Sequence, residues 1–187
     1  MAEFYEMQIA GLTRKLKKCP VNENLEIGAF IMFSDIEITV KSAEALLAKA
    51  PEFDVLLTAE SKGIPLAYEM ARQSDKNYVV ARKSVKLYMQ DVVSVAVKSI
   101  TTEQEQVLYL DGEKADLLKN KKVLIVDDVI STGESLRALE YLVKKANGIV
   151  AGKTAVLAEG DASERNDIIF LEKLPLFFKN SDLNLSE

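Results

Sequence analysis

Two adjacent carboxylates, Asp127 and Asp128, come just before a loop rich in hydroxyl groups, Ser131-Thr132-Gly133-Glu134-Ser135. Carboxylate oxygens accept hydrogen bonds, so a neighbouring pair can hold the vicinal hydroxyls of a sugar. The first backbone N–H groups of a helix have no partner within the helix, and a glycine lets the backbone come close to an anion. If a helix begins at this loop, these residue types suit a sugar that carries a phosphate.

The elements on either side of the loop would position these groups. Residues 123–126 are four consecutive β-favouring apolar residues with no polar alternation, which predicts a strand buried on both faces. After the loop, Leu136, Leu139 and Leu142 recur at helical spacing. The carboxylates are therefore expected at the carboxyl end of a buried strand, and the hydroxyls at a helix N-terminus.

Two other kinds of protein carry an acidic pair after an apolar strand. In phosphorylation receiver domains the pair ends the first strand, and here it comes too late in the chain for the rest of that fold to follow. A Walker B strand requires a Walker A loop, and the candidate at residues 148–154 has one residue too few between its glycines. That candidate also leads into a predicted strand instead of a helix. The sugar-phosphate interpretation is favoured over both.

Composition limits the class of protein. The 187 residues, 48% of them hydrophobic and 28% charged, are typical of one globular domain. The chain has no histidine, which excludes imidazole catalysis, and its one cysteine, Cys19, cannot form an internal disulfide. No secretory leader or membrane-length apolar run is visible, so we expect a cytoplasmic protein without a membrane partner. The net charge of −5 argues against a nucleic-acid partner.

Several segments before the acidic pair have clear patterns. Residues 2–18 place apolar side chains at roughly helical spacing beside a basic end and predict an N-terminal amphipathic helix. Residues 26–40 predict either a short strand pair or an irregular segment, and residues 42–50 predict a helix. Residues 53–58 predict a second buried strand.

After the second buried strand come a polar turn with a lysine, Glu60-Ser61-Lys62-Gly63, and a helix over 64–73. A third predicted strand, 78–81, ends in Arg82 and Lys83, with Lys86 nearby. Cations at such strand ends can hold an anion, although a turn of this kind also occurs as an ordinary connection.

The rest of the chain alternates between strands and loops. Residues 87–110 predict a hairpin or long loop, residues 152–157 and 168–171 predict strands, and the tail from residue 180 is polar. Strands that alternate with helices imply an α/β fold with a mostly parallel central sheet flanked by helices. We expect a single domain over residues 1–187.

Residues 127–135 resemble the phosphoribosyl-pyrophosphate (PRPP) motif of type I phosphoribosyltransferases, in which two acidic residues precede a Thr-Gly-x-Thr/Ser loop. The resemblance extends over roughly residues 26–178 and is strongest to the adenine and xanthine enzymes. It implies the type I fold, with a small hood formed by residues 26–40 and 159–178. It also implies that residues 87–110 form a flexible loop that closes over the site, and that residues 180–187 are a tail.

The resemblance also implies the role of each site residue. Asp127 and Asp128 would hold the ribose hydroxyls as the catalytic pair, with Mg²⁺ bound through PRPP nearby. The 5′-phosphate would be held by Ser131, Thr132, Gly133, Glu134 and Ser135. The pyrophosphate would be held by Glu60, Ser61, Lys62, Gly63, Arg82, Lys83 and Lys86. Phe33 and Glu159 would contact the purine, and Arg165 would help to frame it. The implied reaction transfers the phosphoribosyl group to a purine and releases pyrophosphate.

Which purine the protein uses is inferred from the branch of the family that the chain resembles most. Ser131 stands where hypoxanthine-guanine enzymes have an acidic residue, and Gly160 stands where xanthine enzymes have a lysine, so adenine is favoured. Lys98 and Ser34 depart from the adenine pattern, and xanthine is therefore the alternative base. A non-catalytic regulator that senses PRPP is the alternative function. The resemblance further implies a homodimer.

Overall fold

The computed structural model of the protein describes residues 3–98 and 105–179. Its strands are β1 (Phe4–Ile9), β2 (Leu12–Pro20), β3 (Leu25–Ala29), β4 (Val55–Ala59), β5 (Asn77–Ala81), β6 (Val93–Lys98), β7 (Glu105–Leu110), β8 (Lys122–Ile130), β9 (Ile149–Glu159), β10 (Ile169–Leu174) and β11 (Leu176–Phe178). Its helices are α1 (Ile36–Leu47), α2 (Ile64–Ser74), α3 (Gly112–Asp116) and α4 (Glu134–Lys145), and a 3₁₀ turn spans Gly160–Glu164.

A five-stranded parallel sheet in the order β10-β9-β8-β4-β5 forms the centre of the fold. Its central strand β8 alternates between two hydrophobic cores, with Val123 and Ile125 facing α4 and with Leu124 and Val126 facing α1 and α2. Both faces of the strand are buried because helices cover both sides of the sheet. The predicted α/β class is confirmed.

A second, four-stranded antiparallel sheet has the order β1-β2-β3-β11. The predicted N-terminal helix is wrong, because residues 4–20 form a hairpin whose turn, Ala10-Gly11, has positive φ angles of 50° and 80°. Met7 and Ile9 are buried at alternate positions of β1, as in a strand with one buried face. Of the basic residues of β2, Lys15 and Lys17 lie on its exposed face, whereas Arg14 and Lys18 lie on the face of Leu16 and are partly buried. The charges therefore do not mark one face of the strand, and the segment looked like a helix with a basic end.

The segment between the two sheets also differs from the prediction. Helix α1 begins at Ile36, not at residue 42, because the Asp35 carboxylate caps it by accepting a hydrogen bond from the N–H of Ile38 at 3.1 Å. Arg14 of β2 donates two hydrogen bonds to the same carboxylate, from Nε at 2.7 Å and from Nη2 at 3.0 Å. The Arg14 guanidinium lowers the pKa of Asp35. This ion pair ties the antiparallel sheet to the main domain.

Strands β6 and β7 form an antiparallel hairpin within the segment predicted as the flexible loop. The hairpin packs on α4 through Val97 and Leu108, and Lys145 of α4 donates to the carbonyl of Ser94 at 2.7 Å. Tyr109 of β7 exchanges two backbone hydrogen bonds with Arg82 at the end of β5, at 2.8 and 2.9 Å. Residues 99–104 and the predicted polar tail, 180–187, lie outside the described residues.

Over residues 3–98 and 105–179, the structure contains no helix that is both long and apolar enough to span a membrane. The cytoplasmic location and the expected lack of membrane and nucleic-acid partners stay predictions.

Candidate active site

The parallel sheet brings four chemically active segments to one edge. In a parallel sheet all strands end at the same side, and ligands bind outside those carboxyl ends. Glu60 follows β4, Arg82 follows β5, Asp127 and Asp128 lie near the end of β8, and Glu159 ends β9. The topology therefore gathers the residues that the sequence placed after separate strands.

The two adjacent carboxylates are in contact with the turn after β4. Ser61 donates from Oγ to Oδ1 of Asp127 at 3.3 Å, and the N–H of Asp128 donates to the same oxygen at 2.9 Å. The close approach requires Gly63, because a Cβ built there would lie 3.1 Å from Oδ1 of Asp127 and 3.2 Å from its Cα. The 60–63 turn thus lies directly against the carboxylate pair.

The environment of the carboxylates favours a bound proton. Burial, followed by the charge of the neighbouring Asp128, raises the pKa of Asp127 to about 7. Asp128 is only 4% exposed, and its Oδ2 lies 3.1 Å from Nζ of Lys62. At neutral pH the two carboxyl groups therefore carry less than two full negative charges. A ligand that hydrogen-bonds to the ionised form would displace the proton.

A cluster of cations surrounds Glu60. This carboxylate accepts from the N–H of Lys83 at 2.9 Å and lies 3.2 Å from Nη2 of Arg82 and 3.8 Å from Nζ of Lys86. The Lys83 N–H, and then the charges of Arg82 and Lys86, lower the pKa of Glu60. Glu60 therefore arranges the cations at this edge, whereas an anion such as pyrophosphate would be attracted by the cations themselves.

The hydroxyl-rich loop forms the start of α4, as the sequence predicted. Gly133 has φ of +77°, a left-handed conformation that glycine adopts without strain, and helix α4 begins at the next residue. The loop encloses a small cavity of about 50 Å³ that Asp127 also lines. The carboxylate pair is thus adjacent to the loop on one side and to the 60–63 turn on the other.

A larger cavity of about 630 Å³ lies between the loop and the antiparallel sheet. One wall is apolar and comes from Leu25, Ile27 and Leu176 of the antiparallel sheet. The cavity is also lined by polar residues, namely Ser131, Thr132, Glu134, Glu159, Asp161 and Arg165. Burial raises the pKa of Glu159. A flat molecule with an apolar face and polar edges suits such a space.

The two residues predicted to contact the base lie in different places. Glu159 lines the cavity of about 630 Å³, whereas Phe33 is 53% exposed and lines another cavity of about 420 Å³ with Tyr68 and Tyr78. The structure does not bring Phe33 and Glu159 together, and the role of Phe33 stays a prediction.

Sequence reasoning missed the apolar wall, made by Leu25, Ile27 and Leu176. Leu25 pairs with Phe178, and Ile27 pairs with Leu176, across strands far apart in the chain. It also missed the bond from Nζ of Lys62 to the carbonyl of Phe30, at 3.0 Å. The available signal was the alternation of apolar and polar residues at the start of segment 25–29, which is typical of a strand.

Comparison with known proteins identifies the family of this chain. Residues 34–176 match the family model of the phosphoribosyl transferase domain. A hypoxanthine/guanine phosphoribosyltransferase from Methanothermococcus okinawensis is 31% identical over 157 residues, which cover 80% of this chain and 82% of that protein. An adenine phosphoribosyltransferase from Fervidobacterium nodosum is 33% identical over 155 residues, 74% of this chain and 84% of that protein.

Solved structures show the same fold. Adenine phosphoribosyltransferase from Thermoanaerobacter pseudethanolicus matches with a TM-score of 0.71 at 24% identity, over 84% of this chain and 95% of that one. The Saccharomyces cerevisiae enzyme, solved with an imino-altritol bisphosphate and adenine, matches with a TM-score of 0.64 at 18% identity, over 90% and 93%. These matches confirm the resemblance seen in residues 127–135, and the chain belongs to the phosphoribosyl transferase family.

Proposed function

We propose that this protein is a purine phosphoribosyltransferase that transfers the 5-phosphoribosyl group of PRPP to a free purine, with adenine as the preferred base. The observation that carries the proposal is the order of the groups along the sheet edge. The cations around Glu60, the carboxylates Asp127 and Asp128, and the loop before α4 follow one another in contact. PRPP carries its pyrophosphate, its ribose diol and its 5′-phosphate in the same order.

The reaction is a displacement at C1 of the ribose. A ring nitrogen of the purine forms the new bond, the bond from C1 to the pyrophosphate oxygen breaks, and pyrophosphate leaves with the electron pair while the purine loses its N–H proton. Asp127 and Asp128 hold the diol, and the loop holds the 5′-phosphate, so that C1 faces the purine. Positioning of this kind lowers a barrier by about 7–11 kcal/mol in well-oriented cases.

The cations act on the leaving group. Negative charge grows on the pyrophosphate oxygens as the bond breaks, and fixed cations stabilise it without having to reorganise. Arg82 and Lys86 are already oriented by Glu60, and Lys62 is paired with Asp128. The β6–β7 hairpin, joined to Arg82 through Tyr109, is suited to limit water at this edge.

The proposed cofactor is Mg²⁺, and the residues present fit it in a limited way. Within the described residues, no three His, Cys, Asp or Glu side chains are grouped to hold a metal. Asp128 nevertheless has a buried Oδ2 that makes no hydrogen bond of good geometry, although Lys62 is close. Mg²⁺ prefers oxygen ligands and is commonly held by one or two carboxylates together with substrate phosphates. Bound to PRPP near Asp127 and Asp128, it would supply further positive charge to the leaving group.

The choice of base rests on the loop. Ser131 puts no carboxylate just before Thr132-Gly133, which supports adenine over the oxopurines. The hypoxanthine/guanine relative keeps those bases as a second candidate. Xanthine and a non-catalytic PRPP sensor are the remaining alternatives.

The test is incubation of the protein with PRPP, Mg²⁺ and each purine separately, with the nucleotide product identified by chromatography. We expect AMP from adenine at the highest rate. Faster turnover of hypoxanthine, guanine or xanthine would change the base assignment alone. PRPP binding without nucleotide formation from any base would replace the enzyme with the sensor.

The proposed assembly is a homodimer. Phe33, Ile36, Tyr68 and Tyr78 are exposed and surround the cavity of about 420 Å³. Contiguous exposed apolar groups of this kind are typical of protein interfaces. A second copy of the chain would cover them.

A further inference from the structure

Arg165 lies against the backbone of the loop that precedes α4. A Cβ built on Gly133 would lie 2.8 Å from Nη1 of Arg165, which is closer than a side chain permits. The guanidinium can occupy this position because residue 133 has no side chain. Gly133 therefore serves two purposes, the left-handed turn of the loop and the approach of this cation.

Asp167 holds the guanidinium in a fixed orientation. Nε of Arg165 donates to Oδ1 of Asp167 at 2.9 Å, and Nη2 donates to Oδ2 at 2.8 Å. This two-pronged contact uses one edge of the planar group and leaves Nη1 at the opposite side, beside the loop. The Arg165 guanidinium, and then Lys153, keeps the pKa of Asp167 far below its usual range. The clamp is therefore charged at every physiological pH.

The clamp is itself fixed to helix α4. Nζ of Lys153 donates to Oδ2 of Asp167 at 2.5 Å and to Oε1 of Glu140 at 2.9 Å. Lys153 is 13% exposed and lies in β9, while Glu140 lies in α4. Because the loop is the start of the same helix, Arg165 is held at a defined position relative to the loop.

The charges around the loop indicate what kind of ligand Arg165 could bind. A phosphate monoester carries close to two negative charges at neutral pH. Lys62 is paired with Asp128, and Arg82 and Lys86 are paired with Glu60. The loop itself contributes the acidic Glu134. Arg165 is a cation that the structure places against the loop backbone.

We infer that Arg165 binds the 5′-phosphate of PRPP by donating from Nη1, with Asp167, Lys153 and Glu140 as the residues that position it. The inference rests on the proposed function and deepens it. It differs from the purine-framing role that the resemblance implied for Arg165, because the contact lies with the phosphate loop. The ligand class is a sugar 5-phosphate.

The experiment compares two probes by calorimetry in the presence of Mg²⁺: ribose 5-phosphate for the loop, and pyrophosphate for the cation cluster. We expect Arg165→Gln to weaken ribose 5-phosphate binding by about tenfold or more, as for the loss of a charge-assisted hydrogen bond. Pyrophosphate affinity should change by less than about twofold, since Arg165 contacts Asp167 and the loop whereas the cation cluster is arranged around Glu60. Lys173→Gln is the matched control, because it removes one positive charge by breaking an exposed ion pair with Glu164 beside the same segment.

A second pair of variants is used in case Arg165→Gln does not fold. Asp167→Asn keeps Arg165 but weakens the ion pair that orients it, and Arg165→Lys keeps the positive charge but loses the planar guanidinium. Both variants should bind ribose 5-phosphate with intermediate affinity. Unchanged ribose 5-phosphate affinity in the Arg165 and Asp167 variants would overturn the inference, as would an equal loss of both probes. So would a raised KM for the purine with unchanged ribose 5-phosphate binding. Neither probe requires turnover, so a wild-type protein that makes no nucleotide would reject the enzyme and leave this inference to be decided by binding.

Discussion

Lys62 bridges the carboxylate pair and the antiparallel sheet, with Nζ 3.1 Å from Oδ2 of Asp128 and 3.0 Å from the carbonyl oxygen of Phe30. In the free protein this cation offsets part of the charge on Asp128. In the proposed reaction we expect the ribose diol to bind the carboxylates and the Lys62 ammonium to turn to the pyrophosphate. The contact would then couple the binding of the sugar to the stabilisation of the leaving group.

Replacing Lys62 should consequently affect catalysis more than folding. We expect Lys62→Gln to lower kcat by about 10²-fold, because one fixed donor to the developing charge is lost. Some loss of stability is also expected, because Lys62 is 44% exposed but its partner Asp128 is buried, so kcat is compared at a temperature at which circular dichroism shows the variant folded. Steady-state kinetics with PRPP varied would measure this. Lys41→Gln, which breaks an exposed pair with Glu44, is the control. A kcat within about threefold of wild type would contradict the role of Lys62.

PRPP affinity should rise with pH through neutrality. Burial and the neighbouring Asp128 raise the pKa of Asp127 to about 7, so below that pH the carboxyl is protonated and is a poorer acceptor for the ribose diol. Because the phosphates of PRPP also titrate, the useful quantity is the ratio of wild-type affinity to that of Asp127→Asn. We expect this ratio to increase from pH 6 to pH 8 and then to level off. Calorimetry at each pH measures it, and a flat ratio would show that Asp127 is ionised throughout.

The raised pKa of Asp127 also predicts that its ionised carboxylate destabilises the folded protein at neutral pH and above. A carboxyl whose folded-state pKa is raised binds its proton more tightly in the native state, so its contribution is favourable at low pH and is lost as pH rises from about 4 to about 7. Asp127→Asn removes that loss and keeps an oxygen to accept from Ser61 and from the N–H of Asp128. We expect the variant to gain on the order of 1–3 kcal/mol in free energy of unfolding at pH 8.

Urea denaturation at pH 8 and at pH 4 would test this gain. The gain should be much smaller at pH 4, where the native carboxyl is protonated and that of the unfolded chain is only about half ionised. A variant that is less stable than wild type at pH 8 would mean that the carboxylate is stabilised in the native state. The expected combination, higher stability with weaker PRPP binding, is typical of a group retained for function.

The central sheet and its ligand edge were predictable because their signals are local. The run from Val123 to Val126 is buried on both faces, and the strand, the acidic pair and the glycine loop follow one another in the chain. Equivalent apolar runs located β4, β5, β9 and β10 to within a few residues. From the positions of Lys62 and Arg82 after parallel strands, and of Asp127 near the end of another, their convergence followed directly.

The antiparallel sheet was not predictable in the same way. The basic residues of β2 lie on both of its faces, and the apolar positions of β1 and β2 over a short segment satisfy a helical and a strand period about equally well. The walls of the cavity of about 630 Å³ depend on the pairing of β3 with β11. The contact of Arg165 with Gly133 likewise depends on tertiary packing that no local pattern encodes.

The exposed aromatic residues at the cavity of about 420 Å³ predict the behaviour of the protein in solution. Tyr68 is 53% exposed in that cavity, and Tyr141 on α4 is 49% exposed and outside it. We expect the wild-type protein to sediment as a dimer. Tyr68→Glu should shift it to a monomer, because association would remove the new charge from water without giving it a partner. Tyr141→Glu introduces the same charge at similar exposure and should remain dimeric. Sedimentation velocity over a range of protein concentrations distinguishes the two. A monomeric wild type, or a dimer that Tyr68→Glu leaves intact, would assign this aromatic surface a role other than self-association.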